Sequence, residues 1–222
     1  MLPTTEARWF HEGDLPETVL ERFRSGEITQ NGGTVENRRD VYLYLTGVDS
    51  LGIKLRGISI RREFDADKLE IKRRELEGSV VTFIHGVTGR LERWTKWAFN
   101  SESSDPQLSS MLTAKDEAWM SVSKVRYLRK YAVTSDKSVV AVPLNEWPDN
   151  GCNVEVTKLI ALDRQRWWTL GFETFGEADA SVVDNLMLSA NHFFAETGLV
   201  IFREKDSYGY PRWLNVVKQS GE

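Results

Sequence analysis

The sequence is nearly free of cysteine and has no long apolar segment. Cys152 is the only cysteine among 222 residues, so no internal disulfide can form, as is typical of a reducing compartment. No apolar run approaches the roughly 20 residues that a membrane-spanning helix needs. The first ten residues lack the basic start and apolar stretch of a secretion signal. We therefore predict a cytoplasmic protein without a membrane partner.

Motifs of the common nucleotide and metal sites are also missing. The sequence has no Walker-type phosphate loop, no dinucleotide glycine fingerprint and no HExxH zinc motif, and its three histidines are scattered. The net charge of −4 gives no overall attraction to nucleic acid. These absences exclude the commonest nucleotide-binding and zinc-protease sites, and they do not favour nucleic acid as a partner.

What the sequence does contain is a series of segments in which apolar and polar residues alternate. In "DVYLYL", for example, Val41 and Leu43 alternate with Asp40 and Tyr42. Alternation with aromatic and β-branched residues predicts strands. The predicted strands are 6–10, 40–45, 51–57, 69–75, 93–99, 121–133, 154–162 and 167–175, with 138–144 as a candidate ninth.

Helices are few. The segment 14–26 has Asp14 as a candidate cap, and the segment 178–198 carries an apolar stripe that ends at Gly198. The segment 103–119 is either a short helix or part of a long connection. The aromatic tail near 205–222 packs either on the sheet or on a partner chain.

Eight strands with few helices predict a mainly β (α+β) fold. We expect one domain over residues 1–222, in which an eight-stranded antiparallel sheet forms a closed or nearly closed barrel with a few flanking helices. Closure would remove the exposed edges that an open sheet of this size has to protect.

One face of the predicted strands is densely charged. In "LEIKRRE" (69–75), Glu70, Lys72 and Arg74 alternate with Leu69 and Ile71. The basic residues on this face are Arg8, Lys54, Arg56, Lys72, Arg74, Lys96, Lys124 and Arg126, and the acidic ones are Glu6, Asp40, Glu70, Glu155 and Glu173. The face therefore carries three excess positive charges within a chain that is negative overall.

Such a face either is solvated or lines the hollow of the barrel. Paired cations on three strands would crowd together, which is unfavourable unless an anion or carboxylates lie between them. In a hollow, the basic groups suit phosphate oxygens, and the carboxylates suit Mg²⁺ or Mn²⁺. The pattern therefore favours a polyanion as the ligand.

The order of the motifs resembles that of the triphosphate tunnel metalloenzymes, the CYTH superfamily. The shared motifs extend from about residue 6 to 196 and include "RRDVYLYL", "GIKLR", "LEIKRR", "SKVRY", "VEVTKL" and "GFETFG". In that family an eight-stranded antiparallel barrel forms a tunnel, in which basic pairs bind a triphosphate and acidic residues bind metal. Members include inorganic and thiamine triphosphatases, RNA triphosphatases and adenylate cyclases.

The resemblance implies metal-dependent hydrolysis of a triphosphate-containing substrate. The family's basic pairs match Lys54 and Arg56, Lys72 and Arg74, and Lys124 and Arg126, and its acidic positions match Glu155 and Glu173. With the other residues of the charged face included, the candidate substrate-binding residues are these six with Arg8 and Lys96, and the candidate ligands of Mg²⁺ or Mn²⁺ are Glu6, Glu70, Glu155 and Glu173. The implied partner is a small phosphorylated ligand, either a triphosphate or a nucleotide. Among nucleic acids only an RNA 5′-triphosphate end would fit.

The first strand departs from the family pattern. The family motif reads E-x-E-x-K, whereas this sequence has Glu6, Arg8 and Phe10. A guanidinium in place of a carboxylate repels a metal cation. Two alternatives therefore stand beside hydrolysis: a non-catalytic protein that binds a phosphorylated ligand, and a structural or interaction protein with a solvated sheet face.

Overall fold

The computed structural model describes residues 4–25, 35–58, 68–100, 118–162, 164–176 and 179–220, and it is built mainly from strands. The strands are β1 (Thr4–Glu12), β2 (Val35–Leu43), β3 (Leu51–Ile58), β4 (Lys68–Thr82), β5 (Thr88–Asn100), β6 (Trp119–Val133), β7 (Val139–Val142), β8 (Gly151–Ala161) and β9 (Gln165–Phe175). The α-helices of these ranges are α1 (Glu17–Arg24), α2 (Asp179–Thr197) and α3 (Tyr210–Ser220). All eight predicted strands and the candidate ninth are present.

The sheet is a closed antiparallel barrel. Its strands follow the order β2-β3-β4-β5-β1-β9-β8-β6, and β2 pairs with β6 from Val35 opposite Tyr127 to Leu43 opposite Trp119. This last pairing joins the two ends of the sheet, so the predicted eight-stranded barrel is confirmed. The short β7 pairs with the end of β6.

The outer face of the barrel carries a large apolar core. The fully buried Trp9 lies on this face of β1, and its ring centroid is 5.5 to 6.1 Å from those of Phe83, Phe172, Phe194 and Phe202. Edge-to-face contacts at such distances are favourable for aromatic rings. Because these rings fix the outer face of β1, they also fix the side chains that β1 directs into the barrel.

Helices α1 and α2 cover this outer core. Val19, Leu20 and Phe23 of α1 are buried, and α2 ends at Gly198, whose φ of 62° suits glycine. The predicted helix cap at Asp14 is wrong. Pro16 occupies the N-cap position, while the Asp14 carboxylate accepts hydrogen bonds from Arg166 on β9.

The C-terminal helix α3 packs on the inner side of the barrel at one end. Trp213 of α3 is fully buried, and its ring stacks on that of Phe10 at 5.3 Å. Trp167 and Tyr42 belong to the same apolar cluster, and both lie on the inner face of their strands. The aromatic tail therefore docks on its own barrel, which decides between the two expectations for this segment.

The candidate helix at 103–119 falls largely outside the described residues. No helix within the described ranges is long and apolar enough to cross a lipid bilayer.

Candidate functional site

The charged face of the strands lines a cavity of about 130 Å³ inside the barrel. The cations that line it are Arg8, Arg38, Lys54, Arg56, Lys72, Lys96, Lys124 and Arg126, and the carboxylates are those of Glu6, Glu70, Glu155 and Glu173. The lining thus has four more cations than carboxylates. Asp40 and Glu36, which contact some of these cations, reduce this excess to two.

Seven of the eight basic residues predicted from the sequence line the cavity, and Arg74 does not. The Arg74 guanidinium donates hydrogen bonds to Glu92 at 2.8 Å and to Asp49 at 3.0 Å. The pairing of β4 with β5 shifts its register between Arg74 and Leu76. At this irregularity Arg74 is bound by its own carboxylate partners and takes no part in the cationic lining.

One group of lining cations surrounds the buried Asp40 on β2. Its Oδ2 lies 3.1 Å from the Lys124 ammonium, and its Oδ1 lies 3.3 Å from Nε of Arg38. Burial lowers the pKa of Lys124 to about 7, an effect that Asp40 opposes and Arg38 reinforces. Burial likewise lowers the pKa of Lys54 to about 8. The charges of both lysines therefore change within the neutral pH range.

Glu70 on β4 is the centre of a second group. Its carboxylate lies 2.9 Å from the Lys54 ammonium and 3.1 Å from both Arg56 and Lys96. Burial alone would raise the pKa of Glu70, but Lys54 and Lys96 outweigh burial and hold the pKa well below its usual range. Three cations are thus gathered around one carboxylate at this wall.

The remaining carboxylates lie on neighbouring strands, as closure of the barrel predicts. Glu6 on β1 is directly opposite Glu173 on β9, and Glu155 follows on β8. Glu155 is bound by both Arg8, at 2.5 Å, and Arg126. Glu6 accepts a hydrogen bond from Lys72, whose ammonium lies 3.7 Å from Glu173.

These residues do not fit the Mg²⁺ or Mn²⁺ that the resemblance implies. All four predicted carboxylate ligands are already in ion pairs with lysine or arginine, and Glu70 is separated from β1 by the intervening strand β5. Divalent metals of this kind need several free oxygen ligands in one place. In the described ranges, no group of three acidic, histidine or cysteine side chains is arranged to hold a metal.

Helix α3 supplies part of the cavity wall. Gly209, Tyr210 and Pro211 line the cavity, and the Tyr210 ring stacks on Tyr42 at 5.5 Å. The Lys124 ammonium lies 4.0 Å from the centroid of the Tyr210 ring, within the range of a cation–π contact. No local pattern in the sequence indicates this role, because it depends on where the C-terminal helix packs.

Arg38 and Glu36 are the charged residues of this region that the sequence analysis missed. The predicted strand began at residue 40, whereas β2 begins at Val35. Extending the alternation of Asp40 and Tyr42 backwards through "VENRR" would have placed both residues on the inner face. The alternation of inward and outward side chains along the strand, with its period of two residues, was therefore enough to identify both residues.

Comparison with known proteins gives matches only among solved structures. Neither a family model nor a curated protein matches the sequence. The RNA triphosphatase domain of the trifunctional mimivirus mRNA capping enzyme is 12% identical, with 88% of each chain covered and a TM-score of 0.50. The chain shares the fold of this domain, a closed barrel of eight antiparallel strands. Triclinic and monoclinic structures of the mimivirus capping enzyme triphosphatase are 10% and 12% identical, each with a TM-score of 0.48 and with 88% of this chain and 90% of theirs covered.

This fold places the inner faces of all eight strands around one lumen. In this chain α3 covers one end of that lumen, and eight cations line the space that remains. The sequence left open whether the charged face is solvated or lines the hollow of the barrel. It lines the hollow.

Proposed function

We propose that this protein binds the triphosphate group of a phosphorylated ligand in the lumen of its barrel. The observation that carries this proposal is the convergence of eight cations from six strands on one cavity, with only four carboxylates in the lining. Arginine and lysine bind phosphate oxygens through charge-assisted hydrogen bonds. A flexible chain of three phosphates could contact cations on several strands at once.

The size of the cavity supports a compact anionic group. Pockets that enclose a drug-sized molecule measure about 300–1,000 Å³, whereas this cavity measures about 130 Å³ among the described residues. The phosphates would therefore lie inside, while a nucleoside or another organic part would remain at the open end. Both a small triphosphate and an RNA 5′-triphosphate end meet this description.

Hydrolysis of the bound triphosphate is a second candidate function. It is favoured by the fold, which this chain shares with the RNA triphosphatase domain of the mimivirus capping enzyme. Cations fixed around a phosphate chain can stabilise the charge that develops when a phosphoanhydride bond breaks. The lumen cations would supply that stabilisation.

Calorimetric titration of tripolyphosphate, ATP and a 5′-triphosphate RNA tests binding. The key variant is Lys96→Met. Lys96 is only partly buried, and without it Glu70 still has ion pairs with Lys54 and Arg56. We expect it to weaken tripolyphosphate binding by about tenfold, the value of one charge-assisted contact. The matched control is Lys205→Met, which removes an exposed lysine outside the lumen. Equal affinity of the two variants would contradict binding in the lumen.

Release of phosphate from the same three ligands tests hydrolysis. Turnover that Lys96→Met reduces and Lys205→Met leaves unchanged would support catalysis in the lumen. Tight binding of a ligand without phosphate release would rule out the second candidate and leave the protein as a phosphate-binding protein.

A further inference from the structure

Arg8 occupies the middle of the wall formed by β1, β8 and β9. It lies on the inner face of β1 between Glu6 and Phe10, directly opposite Gly171 of β9. Its Nη1 is 2.5 Å from Glu155, and its Cζ is 5.1 Å from the centroid of the Tyr210 ring. Arg8 therefore stands where strand order brings the carboxylates of three neighbouring strands together.

Gly171 leaves the space in which the Arg8 guanidinium sits. A Cβ atom at position 171 would lie 2.5 Å from Cζ of Arg8 and within 2.6 Å of both terminal nitrogens. At such distances the guanidinium would have to move, so a side chain at position 171 would displace Arg8 from this strand. The Arg8 guanidinium is thus surrounded by the backbone of β9, the carboxylate of Glu155 and the ring of Tyr210.

The charge of Arg8 is permanent. Burial alone would lower the pKa of its guanidinium, but Glu155 and Glu6 are among the groups that outweigh burial and raise the pKa above its ordinary value. Arg126 binds the other oxygen of Glu155. A divalent cation bound to Glu155 would lie next to the guanidinium groups of Arg8 and Arg126, because both contact that carboxylate. The repulsion between these positive charges would be strongly unfavourable.

We infer that Arg8 takes the place of a divalent metal in this lumen, so that the ligand is a free polyphosphate and not its Mg²⁺ complex. The inference rests on the proposed function, since it names the form of the ligand that the same site binds. A guanidinium presents several N–H donors in a fixed plane and can bind phosphate oxygens without any metal between them. Glu155 and Gly171 hold Arg8 in position, and Arg8 contacts the phosphate.

Titration of tripolyphosphate into the full-length protein, once in EDTA and once in excess Mg²⁺, tests the inference directly. We expect binding in EDTA with an affinity equal to or greater than that in Mg²⁺, because the metal competes for the same phosphate oxygens. Binding that requires Mg²⁺, or is at least tenfold stronger with it, would overturn the inference and leave the proposed function intact. Absence of binding in both buffers would overturn both.

A gain of metal binding provides an independent test on the protein without phosphate. The variant Arg8→Glu replaces the guanidinium by a carboxylate beside Glu6 and Glu155, and the matched control Arg166→Glu changes an exposed arginine on the same strand as Gly171. We expect electron paramagnetic resonance to show one bound Mn²⁺ per chain for Arg8→Glu. The wild type and Arg166→Glu should bind none at the same concentrations.

Binding of one Mn²⁺ by the wild type as tightly as by Arg8→Glu would overturn the inference. Circular dichroism establishes that the variant is folded.

Should Arg8→Glu fail to fold, Arg8→Lys keeps the charge but removes the planar donor set. It should weaken tripolyphosphate binding in EDTA by about tenfold without creating a Mn²⁺ site, and unchanged affinity would contradict a direct contact between Arg8 and phosphate.

Discussion

Lys124 and Lys54 are the two lumen cations whose charge depends on pH near neutrality. The Lys124 side chain is 2% exposed and has the larger shift, to a pKa of about 7, while Lys54 is 21% exposed and has a pKa of about 8. Burial disfavours the charged form of each lysine. Asp40 and Glu155 oppose that effect at Lys124, where Arg38 and other cations reinforce it.

We expect the affinity for tripolyphosphate to fall as the pH rises from about 6 to about 9. A lysine is cationic below its pKa, so both lysines are charged at the lower pH and both have lost a proton at the higher pH. Each lost charge should weaken binding by about tenfold. Calorimetric titrations across this range measure the effect.

The variant Lys124→Met separates this effect from protonation of the ligand, which is the same for both proteins. At the low end of this pH range the variant should bind tripolyphosphate more weakly than the wild type. Its affinity should also change less with pH, since only Lys54 still loses its charge. Parallel curves for the variant and the wild type would show that Lys124 does not titrate in this range.

The contact between Gly171 and Arg8 also has a consequence for stability. We expect Gly171→Ala to lower the free energy of unfolding by about 1–3 kcal/mol, as overpacking of a buried site does, because the added Cβ would displace the guanidinium. Combined with Arg8→Ala, the same change should be nearly neutral, since the clash is gone. Chemical denaturation of the four proteins gives the coupling, and equal losses in both backgrounds would disprove the contact.

At the scale of the element, helix α3 determines the shape of the lumen. Its Trp213 ring contacts Phe10 and Trp167 on the inner face of the barrel, while Tyr210 at its start reaches the charged lining. One helix therefore both fills the apolar end of the barrel and forms a wall of the site. Loss of its packing should affect stability and ligand binding together.

The variant Trp213→Ala should lower the free energy of unfolding by about 3–5 kcal/mol, the usual range for truncating a buried tryptophan. It should also weaken tripolyphosphate binding, because Tyr210 is held by the same helix. The control is Trp147→Ala, which removes a tryptophan that is 84% exposed and should change neither quantity. Thermal denaturation and calorimetry measure both. A Trp213→Ala protein as stable as the wild type would mean that α3 does not fill the barrel.

At the scale of the whole molecule, the lumen collects cations from strands that are far apart in the sequence. Arg8 and Arg126 come from β1 and β6, yet they bind the same carboxylate of Glu155. The spread of cations over six strands means that a longer phosphate chain reaches more of them. Affinity should therefore depend on the length of the anion.

We expect tripolyphosphate to bind more tightly than pyrophosphate, and pyrophosphate more tightly than phosphate, with about a tenfold gain at each step. Chains longer than three phosphates should gain little more, because the cavity of about 130 Å³ is then filled. Calorimetry in one buffer of fixed ionic strength compares the series. Equal affinities for the three anions would indicate non-specific attraction to a positive surface.

Much of the fold and part of the site could be predicted from the sequence. The period of two in "LEIKRRE" and "GIKLR" identified the strands and separated their charged face from their apolar face, and seven of the eight predicted cations line the cavity. The failures at Arg74 and Asp14 have a common origin. Each side chain is bound by a partner from a distant segment, Glu92 or Arg166, which no local pattern reveals.

The sequence by itself determined the number of strands and which of their residues share a face, because alternation is a property of neighbouring residues along the chain. Only the tertiary structure decided that the charged face lines the interior of the barrel, that α3 covers one end of the barrel, and that Arg8 lies against Gly171. Those features depend on the register between strands and on the packing of a distant helix. Both arise from contacts between segments that are far apart in the sequence.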